Sequence, residues 1–255
     1  MKKIAFAFVV LSIVLFNIPS ARASEENSTS GNNHFQFIVA PYAWLTGLNA
    51  SIGLGSITTN VNSPLIKSSE KSGIDLNAAF LGQAEVVYND TVGLLANINY
   101  ASLKGKFNVD NFSINGDTSF LMSDVLPYYR FGNWDLNQSK SCKITVDGLA
   151  GVRIWDISVA SLNKNWVDPL IGSRVALQLY ENWILTLRGA IGGFGISSAF
   201  TWDINATVGY EFYKHCALVV GYRAVGINRN EGDGLESLKL KGTIHGPIVG
   251  MSFSF

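Results

Sequence analysis

Long apolar runs are missing from most of this chain. After residue 23 no stretch approaches the roughly 18 consecutive apolar residues that suggest a membrane-spanning helix, so helical spans are excluded. Proline is rare, at 6 of 255 residues. A basic excess is missing too, because Lys and Arg total 19 and Asp and Glu also total 19. Without surplus positive charge to neutralise phosphates, the chain is not expected to bind nucleic acid.

The first 23 residues have the features of a signal peptide. Lys2-Lys3 forms a basic start, the apolar run Ile4–Phe16 follows, and Ala21–Ala23 supplies a small-x-small cleavage site. The apolar run is too short for a stable membrane-spanning helix. We therefore expect export of the chain and three segments: a cleaved signal peptide at 1–23, a flexible mature N-terminus at 24–33, and one folded domain at 34–255.

Apolar and polar residues alternate with a period of two along much of the folded domain. Between Leu76 and Tyr88, for example, apolar or small residues at the even positions oppose Asn77, Gln83 and Glu85. This alternation is typical of a β-strand with one apolar face. The segments run about ten to thirteen residues, which is long for a β-sandwich and suits a tilted crossing of a bilayer. The sequence therefore predicts an all-β fold, a transmembrane antiparallel up-and-down β-barrel.

Ten strands are expected, with twelve and then eight as the alternatives. The ambiguous stretch is 50–75, where Ser51–Leu54 and Ile57–Val61 form either an extracellular hairpin or a further pair of spans. An even number of strands returns both termini to the periplasm. The predicted strands are 34–52, 76–88, 91–103, 118–131, 142–156, 166–180, 183–194, 200–213, 215–226 and 239–255.

The lengths of the connections orient the predicted barrel. Outer-membrane barrels keep short turns on the periplasmic side and longer loops outside. Short turns at 88–91, 180–183 and 213–215 alternate with longer connections, and Gly132–Ser141 is the one long periplasmic turn. The predicted outer connections are 103–117, 157–165, 194–199 and 227–237. An aromatic girdle is expected at the periplasmic interface, formed by Tyr88, Tyr129, Phe131, Tyr180, Phe212, Tyr213, Phe253 and Phe255.

Short motifs mark the first and last predicted strands. The final stretch places Phe253 and Phe255 in alternation with small residues after Gly250, and it looks like the C-terminal assembly signal of bacterial outer-membrane β-barrels. With the Pro-Tyr-x-Trp of Pro41–Trp44, it resembles an uncharacterised family that ends in Gly-Pro-x-x-Gly-x-x-Phe-x-Phe. Ser254 stands where family members often carry a charged or polar residue. The resemblance implies an outer-membrane barrel inserted by the barrel-assembly machinery, and it supplies no catalytic or binding residues.

The polar faces of the alternating strands should point into the barrel lumen. Charges in a confined lumen must be paired or hydrated. Equal numbers of each sign predict a salt-bridged network that fills a narrow barrel, whereas a selectivity path would favour one sign. Wide aqueous channels are typical of about 16 strands or more, so a large pore is not expected. The predicted lumen residues are Glu85, Asp124, Asp147, Asp168, Asp203 and Glu211, with Arg130, Lys143, Arg153, Arg174, Arg188 and Arg223.

A disulfide between Cys142 and Cys216 stays open. Both residues begin predicted strands at the periplasmic end, in a compartment that permits disulfides. They lie on the fifth and ninth strands, however, which are not neighbours in a ten-stranded barrel. A bond would need the Gly132–Ser141 turn to fold toward the ninth strand.

Catalytic motifs are sparse. Gly192–Gly195 is better explained as a tight extracellular turn than as a phosphate loop, and no metal-ligand spacing is present. His34 and His215 are predicted at the periplasmic end, while His245 should face lipid in the outer half of the membrane. His245 with a nearby serine could serve lipid chemistry. We expect no catalytic residue, cofactor or metal.

The expected function is a structural or surface-interaction role in the bacterial outer membrane, with a largely filled lumen. The expected partners are outer-membrane lipids and lipopolysaccharide, contacted by the outer loops of a monomer. Two alternatives stay open: a narrow channel or transporter for small solutes, and a lipid-modifying enzyme of the outer leaflet.

Overall fold

The computed structural model describes residues 34–54, 57–64, 74–109, 112–136, 142–159, 162–180, 182–232 and 238–255. The predicted signal peptide and the segment 24–33 lie outside the described residues. No helix in the described ranges is long and apolar enough to cross a membrane.

The described chain forms twelve strands, ten of which build a closed barrel. Each strand from β4 to β12 pairs antiparallel with the next along the chain, and β1 closes the ring by pairing with both β4 and β12. The prediction of a ten-stranded, antiparallel, up-and-down barrel is confirmed. The strands are β1 (Phe35–Trp44), β2 (Gly47–Leu54), β3 (Ile57–Pro64), β4 (Ile74–Tyr88), β5 (Val92–Val109), β6 (Phe112–Asp135), β7 (Cys142–Val159), β8 (Leu162–Leu179), β9 (Trp183–Gly192), β10 (Phe200–Tyr213), β11 (Cys216–Glu231) and β12 (Leu238–Ser254).

Strands β1 and β2 together occupy one position in the barrel wall. The C-terminal half of β12 pairs with β1, ending at Trp44 opposite Ile248, and its N-terminal half pairs with β2, beginning at Gly47 opposite His245. Strand β3 folds back on β2 as a hairpin. Of the two sequence interpretations of 50–75, the hairpin is therefore correct, which is why the barrel has ten strands rather than twelve.

Two glycines of the C-terminal motif allow the first and last strands to meet. A Cβ atom at Gly246 would lie 1.9 Å from the carbonyl oxygen of Leu45, and one at Gly250 would lie 2.5 Å from the carbonyl oxygen of Pro41. No side chain fits at such distances. The Gly-x-x-x-Gly spacing of this motif thus places a bare backbone at the barrel seam.

Two predicted outer connections are largely strand. Strands β5 and β6 remain paired as far as Val109 opposite Phe112, and β7 and β8 as far as Val159 opposite Leu162. The predicted loops 103–117 and 157–165 were therefore wrong, because the backbone ladder continues as extended hairpins. The 227–237 connection is likewise shortened, since β11 runs to Glu231. On the opposite end, β6 extends into the predicted long turn and ends at Asp135.

Side-chain alternation gives the barrel an apolar outer surface. Large exposed apolar residues face outward around the barrel wall, on strands whose alternate residues are buried inside. Examples are Val39, Leu94, Ile98, Val167, Ile171, Leu187, Ile191, Ile204, Val220 and Val249. Many exposed aromatic rings lie at the end of the barrel where β1 begins, β12 ends and the short turns are found. They include Phe35, Phe37, Tyr129, Phe131, Tyr180, Phe212, Tyr213 and Phe255.

Candidate functional site

The barrel lumen contains a central charge cluster of Asp124, Arg153, Asp203 and Arg223. Arg153 binds Asp124 on the adjacent strand with two hydrogen bonds of 2.6 and 2.8 Å, and it reaches across to Asp203 at 2.7 Å. Arg223 donates to Asp203 at 2.5 Å. Each of the four side chains is excluded from solvent. Arg188 adds a longer ion pair to Asp203, at 3.7 Å.

A second group, the lower charge cluster, lies nearer the chain termini. Arg174 donates to Glu85 at 2.8 Å through both terminal nitrogens, and it pairs with Asp147 at 2.6 Å. Arg130 donates to the other Asp147 oxygen at 2.9 Å and also pairs with Asp90 in the β4–β5 turn. Opposite charges sit directly across neighbouring strands here, since Asp147 is the register partner of both Arg130 and Arg174.

Two apolar clusters fill the lumen between and beside the charges. The cluster near the termini includes Leu95, Leu126 and Leu149, together with Tyr128, whose hydroxyl donates to Glu85 at 2.6 Å. The other cluster, at the far end, packs Trp44, Met122, Trp155, Trp166, Val225 and Ile248. Charged and apolar side chains therefore both fill the lumen, as in a packed core.

The loop between β9 and β10 is latched into the far end of the lumen. Ser198 donates to the buried carboxylate of Asp168 through its backbone nitrogen and its hydroxyl, both at 2.7 Å. Trp155 and Trp166 donate their indole nitrogens to the same carboxylate, at 2.9 and 3.2 Å. Arg229 stacks over the Trp166 ring at 4.5 Å and donates to the Ser197 carbonyl at 2.7 Å. We refer to this arrangement as the Asp168 latch.

Two residues of the Pro-Tyr-x-Trp motif of β1 also make contacts inside the lumen. The Tyr42 hydroxyl donates to Asn99 at 2.7 Å and accepts from Asn97 at 3.0 Å. Trp44 donates to the Gly246 carbonyl at 3.2 Å, and its ring lies 5.2 Å from the Arg223 guanidinium. Sequence reasoning quoted this motif only as a resemblance. Its partners lie on β5, β11 and β12, and no local pattern points to them.

The structure brings together most of the lumen residues that the alternation predicted. Glu85, Asp124, Asp147, Asp203, Arg130, Arg153, Arg174, Arg188 and Arg223 belong to the two charge clusters, and Asp168 belongs to the latch. Glu211 does not join them. It lies near the β10–β11 turn, where its carboxylate accepts from the His215 backbone nitrogen at 3.1 Å.

Cys142 and Cys216 are not joined by a disulfide. They lie on β7 and β11, with three strands between them in the barrel wall. Leu136, just after β6, donates its backbone nitrogen to the Cys142 carbonyl at 2.8 Å, and residues 137–141 between them lie outside the described residues. The open alternative of a disulfide is thus absent from this structure.

His245 has two hydrogen-bond partners on the outer face of the barrel. Its Nδ1 lies 2.7 Å from the Tyr222 hydroxyl, and its Nε2 lies 3.1 Å from the Asn49 side-chain nitrogen. The sequence interpretation placed His245 on this face but foresaw neither partner, because both lie on other strands. Within the described residues, no three His, Cys, Asp or Glu side chains are arranged to hold a metal ion.

Comparison with known proteins gave matches among solved structures only. No family model and no curated protein matches the chain. The translocator domain of the autotransporter NalP from Neisseria meningitidis matches 86% of this chain and 88% of its own, at 10% identity and a TM-score of 0.42. The structure of the outer membrane protein AlkL in lipid bilayers matches 91% of this chain and 95% of its own, at 10% identity and a TM-score of 0.41. The outer membrane protein OprG from Pseudomonas aeruginosa matches 87% of this chain and 95% of its own, at 12% identity and a TM-score of 0.37.

Proposed function

We propose that this chain is an integral protein of the bacterial outer membrane, with a closed barrel that serves a structural or surface-interaction role. The apolar outer surface and the aromatic ring at one end support a membrane setting, because a transmembrane barrel needs an outward apolar band flanked by aromatic girdles. The signal peptide expected at 1–23 supports export. On this proposal the termini face the periplasm and the extended hairpins face outward.

The main support for a closed lumen is that solvent is excluded from the central charge cluster. Arg153 and Arg223 have no exposed surface, and Asp124 and Asp203 have 1% each. A lumen that conducted water or ions past these side chains would expose them. Two carboxylates shared among several guanidiniums replace most of the hydrogen bonds to water, which makes the polar interior tolerable, while Arg153 Nη1, Arg188 Nη2 and Asp203 Oδ1 lack a hydrogen-bond partner among the described residues.

The experiment is a pair of measurements on the purified, refolded chain and on cells that produce it. Outer-membrane fractions should contain a heat-modifiable band, and planar bilayers with the protein inserted should show no conductance steps. A band confined to the periplasm would contradict the membrane assignment. Steady conductance of the unmodified chain would contradict the closed lumen.

A gated channel for small solutes is the second candidate, and the Asp168 latch is the observation that favours it. The far end of the lumen is closed partly by a loop, residues 193–199, rather than by the barrel wall alone. A loop held by a few hydrogen bonds is easier to displace than packed strands. Release of Ser198 from Asp168 would then open the far end without unfolding the barrel.

A further inference from the structure

The outer face of β12 changes character along its length. Outward positions near the C-terminus are apolar, as expected for contact with acyl chains. Toward the N-terminal end of the strand they become polar and then cationic. In order from the C-terminus, these outward residues are Phe253, Met251, Val249, Pro247, His245, Thr243, Lys241 and Lys239.

A groove of about 420 Å³ opens beside the polar part of this face. The pairing of β12 with its two neighbours places the polar lining of the groove on the outward surface. Thr243 lies opposite Asn49 of β2 and Gly226 of β11. Lys241 lies opposite Ser51 of β2 and Asn228 of β11. Trp202 and Phe200 of β10 form its aromatic side. The groove therefore crosses the outward faces of β10, β11, β12 and β2.

Gly226 and Trp202 shape one wall of the groove. A Cβ atom at Gly226 would lie 2.0 Å from the indole nitrogen of Trp202, so the ring rests directly on the bare backbone of β11. A tryptophan at the border between an apolar surface and a polar one is typical of the membrane–water interface. This places the groove at the level where lipid headgroups begin.

His245 positions Asn49 at the lower edge of the groove. The imidazole is held between the Tyr222 hydroxyl and the Asn49 amide, and the Tyr222 and His245 rings stack with centroids 6.2 Å apart. Polar groups that face lipid cost free energy unless they are hydrogen-bonded. These two contacts provide hydrogen-bond partners for both ring nitrogens of His245. The other polar atoms of Asn49 stay available to a ligand.

We propose that this groove binds the phosphate-bearing headgroup of a membrane lipid. Lys241 supplies a cation, while Asn49, Ser51, Asn228 and Thr243 supply neutral donors. Among the described residues that line the groove there is no acidic side chain. The exposed apolar residues Val220 and Val249, further toward the termini, offer a surface for the acyl chains of the same molecule. The headgroup is thereby distinguished from a free phosphate, which would gain nothing from that surface.

This inference rests on the proposed membrane location, and it is independent of whether the lumen conducts. The test uses native mass spectrometry of the refolded full-length mature chain in detergent, with added phosphatidylglycerol. Diacylglycerol with the same acyl chains serves as the probe that lacks phosphate. We expect phosphatidylglycerol adducts at least tenfold more abundant than diacylglycerol adducts. We also expect about a tenfold loss in Lys241→Gln, because the variant lacks the charge-assisted hydrogen bond to the phosphate.

Lys214→Gln is the matched control, because Lys214 is an exposed lysine in the β10–β11 turn, at the opposite end of the barrel. It should bind as the unmodified chain does, and Thr243→Val should weaken binding without changing the heat-modifiable shift. Equal binding of the two lipids, or equal binding by the Lys241 and Lys214 variants, would overturn the proposal. Full competition by millimolar glycerol phosphate would overturn it too, because the site would then recognise the phosphate alone. Failure of the membrane assignment itself would appear separately, as absence of the chain from outer-membrane fractions.

Discussion

The last residue of the chain is bound to the first strand. Phe255 donates its backbone nitrogen to the Phe37 carbonyl at 2.8 Å and accepts from the Phe37 nitrogen at 3.1 Å. The ring of Phe255 remains two-thirds exposed, at 67%. The terminal phenylalanine thus closes the barrel with its backbone and presents its side chain to the surroundings.

Deletion of Phe255 should weaken both properties. The loss of two seam hydrogen bonds, at about 1 kcal/mol each, lowers the free energy of unfolding by about 2 kcal/mol. The loss of the ring also removes the proposed assembly signal, so less protein should reach the outer membrane. Urea titration of the refolded protein measures the first effect, and fractionation of cells measures the second. Phe255→Tyr keeps the seam and an aromatic ring, and it should resemble the unmodified chain.

Arg153 should be far more important to stability than Arg188. Removing the Arg153 guanidinium leaves the buried Asp124 without its two-bond partner, which costs about 3–5 kcal/mol for a buried pair. Arg188 makes a long ion pair of 3.7 Å to Asp203 and a long hydrogen bond of 3.4 Å to Gln83, and Asp203 keeps hydrogen bonds from Arg153 and Arg223. We therefore expect Arg153→Met to shift the urea midpoint strongly and Arg188→Met to shift it little. Equal shifts would show that the charge clusters do not act as paired units.

Neutralising Asp168 should release the latch. In Asp168→Ala the Ser198 nitrogen and hydroxyl and the Trp155 indole lose their acceptor, and the Trp166 indole keeps only the Ser198 hydroxyl oxygen. Planar bilayers should then show brief conductance steps that are absent from the unmodified chain. Asp156→Asn is the control, because Asp156 is an exposed acidic residue on β7. Silent bilayers with a correctly folded Asp168 variant would remove the gated-channel candidate.

A methyl group at Gly246 should interfere with barrel closure. The added carbon would approach the Leu45 carbonyl oxygen to 1.9 Å, so either β12 or the link between β1 and β2 must move, at a cost of roughly 1–3 kcal/mol. Gly189→Ala provides the comparison, since nothing lies within 4 Å of a Cβ atom there. The fraction of heat-modifiable protein after refolding should fall for the Gly246 variant alone. An undiminished yield would mean that the seam adapts.

Much of the barrel was predictable because its pattern is local. Alternation between Leu76 and Tyr88 indicates a strand and also the side of the wall on which Glu85 lies, since successive side chains point to opposite faces. The same rule assigned Asp147 and Arg174 to the lumen. The ends of strands were harder to predict, as the 103–117 hairpin shows, because polar residues beyond a membrane can either pair as strands or form loops.

The sequence by itself determined the β-barrel class, its inward charges and its outward apolar surface, because a period of two needs only neighbouring residues. It left the number of strands open, since the pairing of 50–75 is not a local property. Only the tertiary structure decided which charges meet. Arg174 and Glu85 lie 89 positions apart along the chain, and Arg223 and Asn97 lie 126 apart. Those contacts cross the lumen and depend on how far each strand is displaced along its neighbour as the barrel closes. That displacement accumulates over all ten strands, so no single segment of sequence contains it.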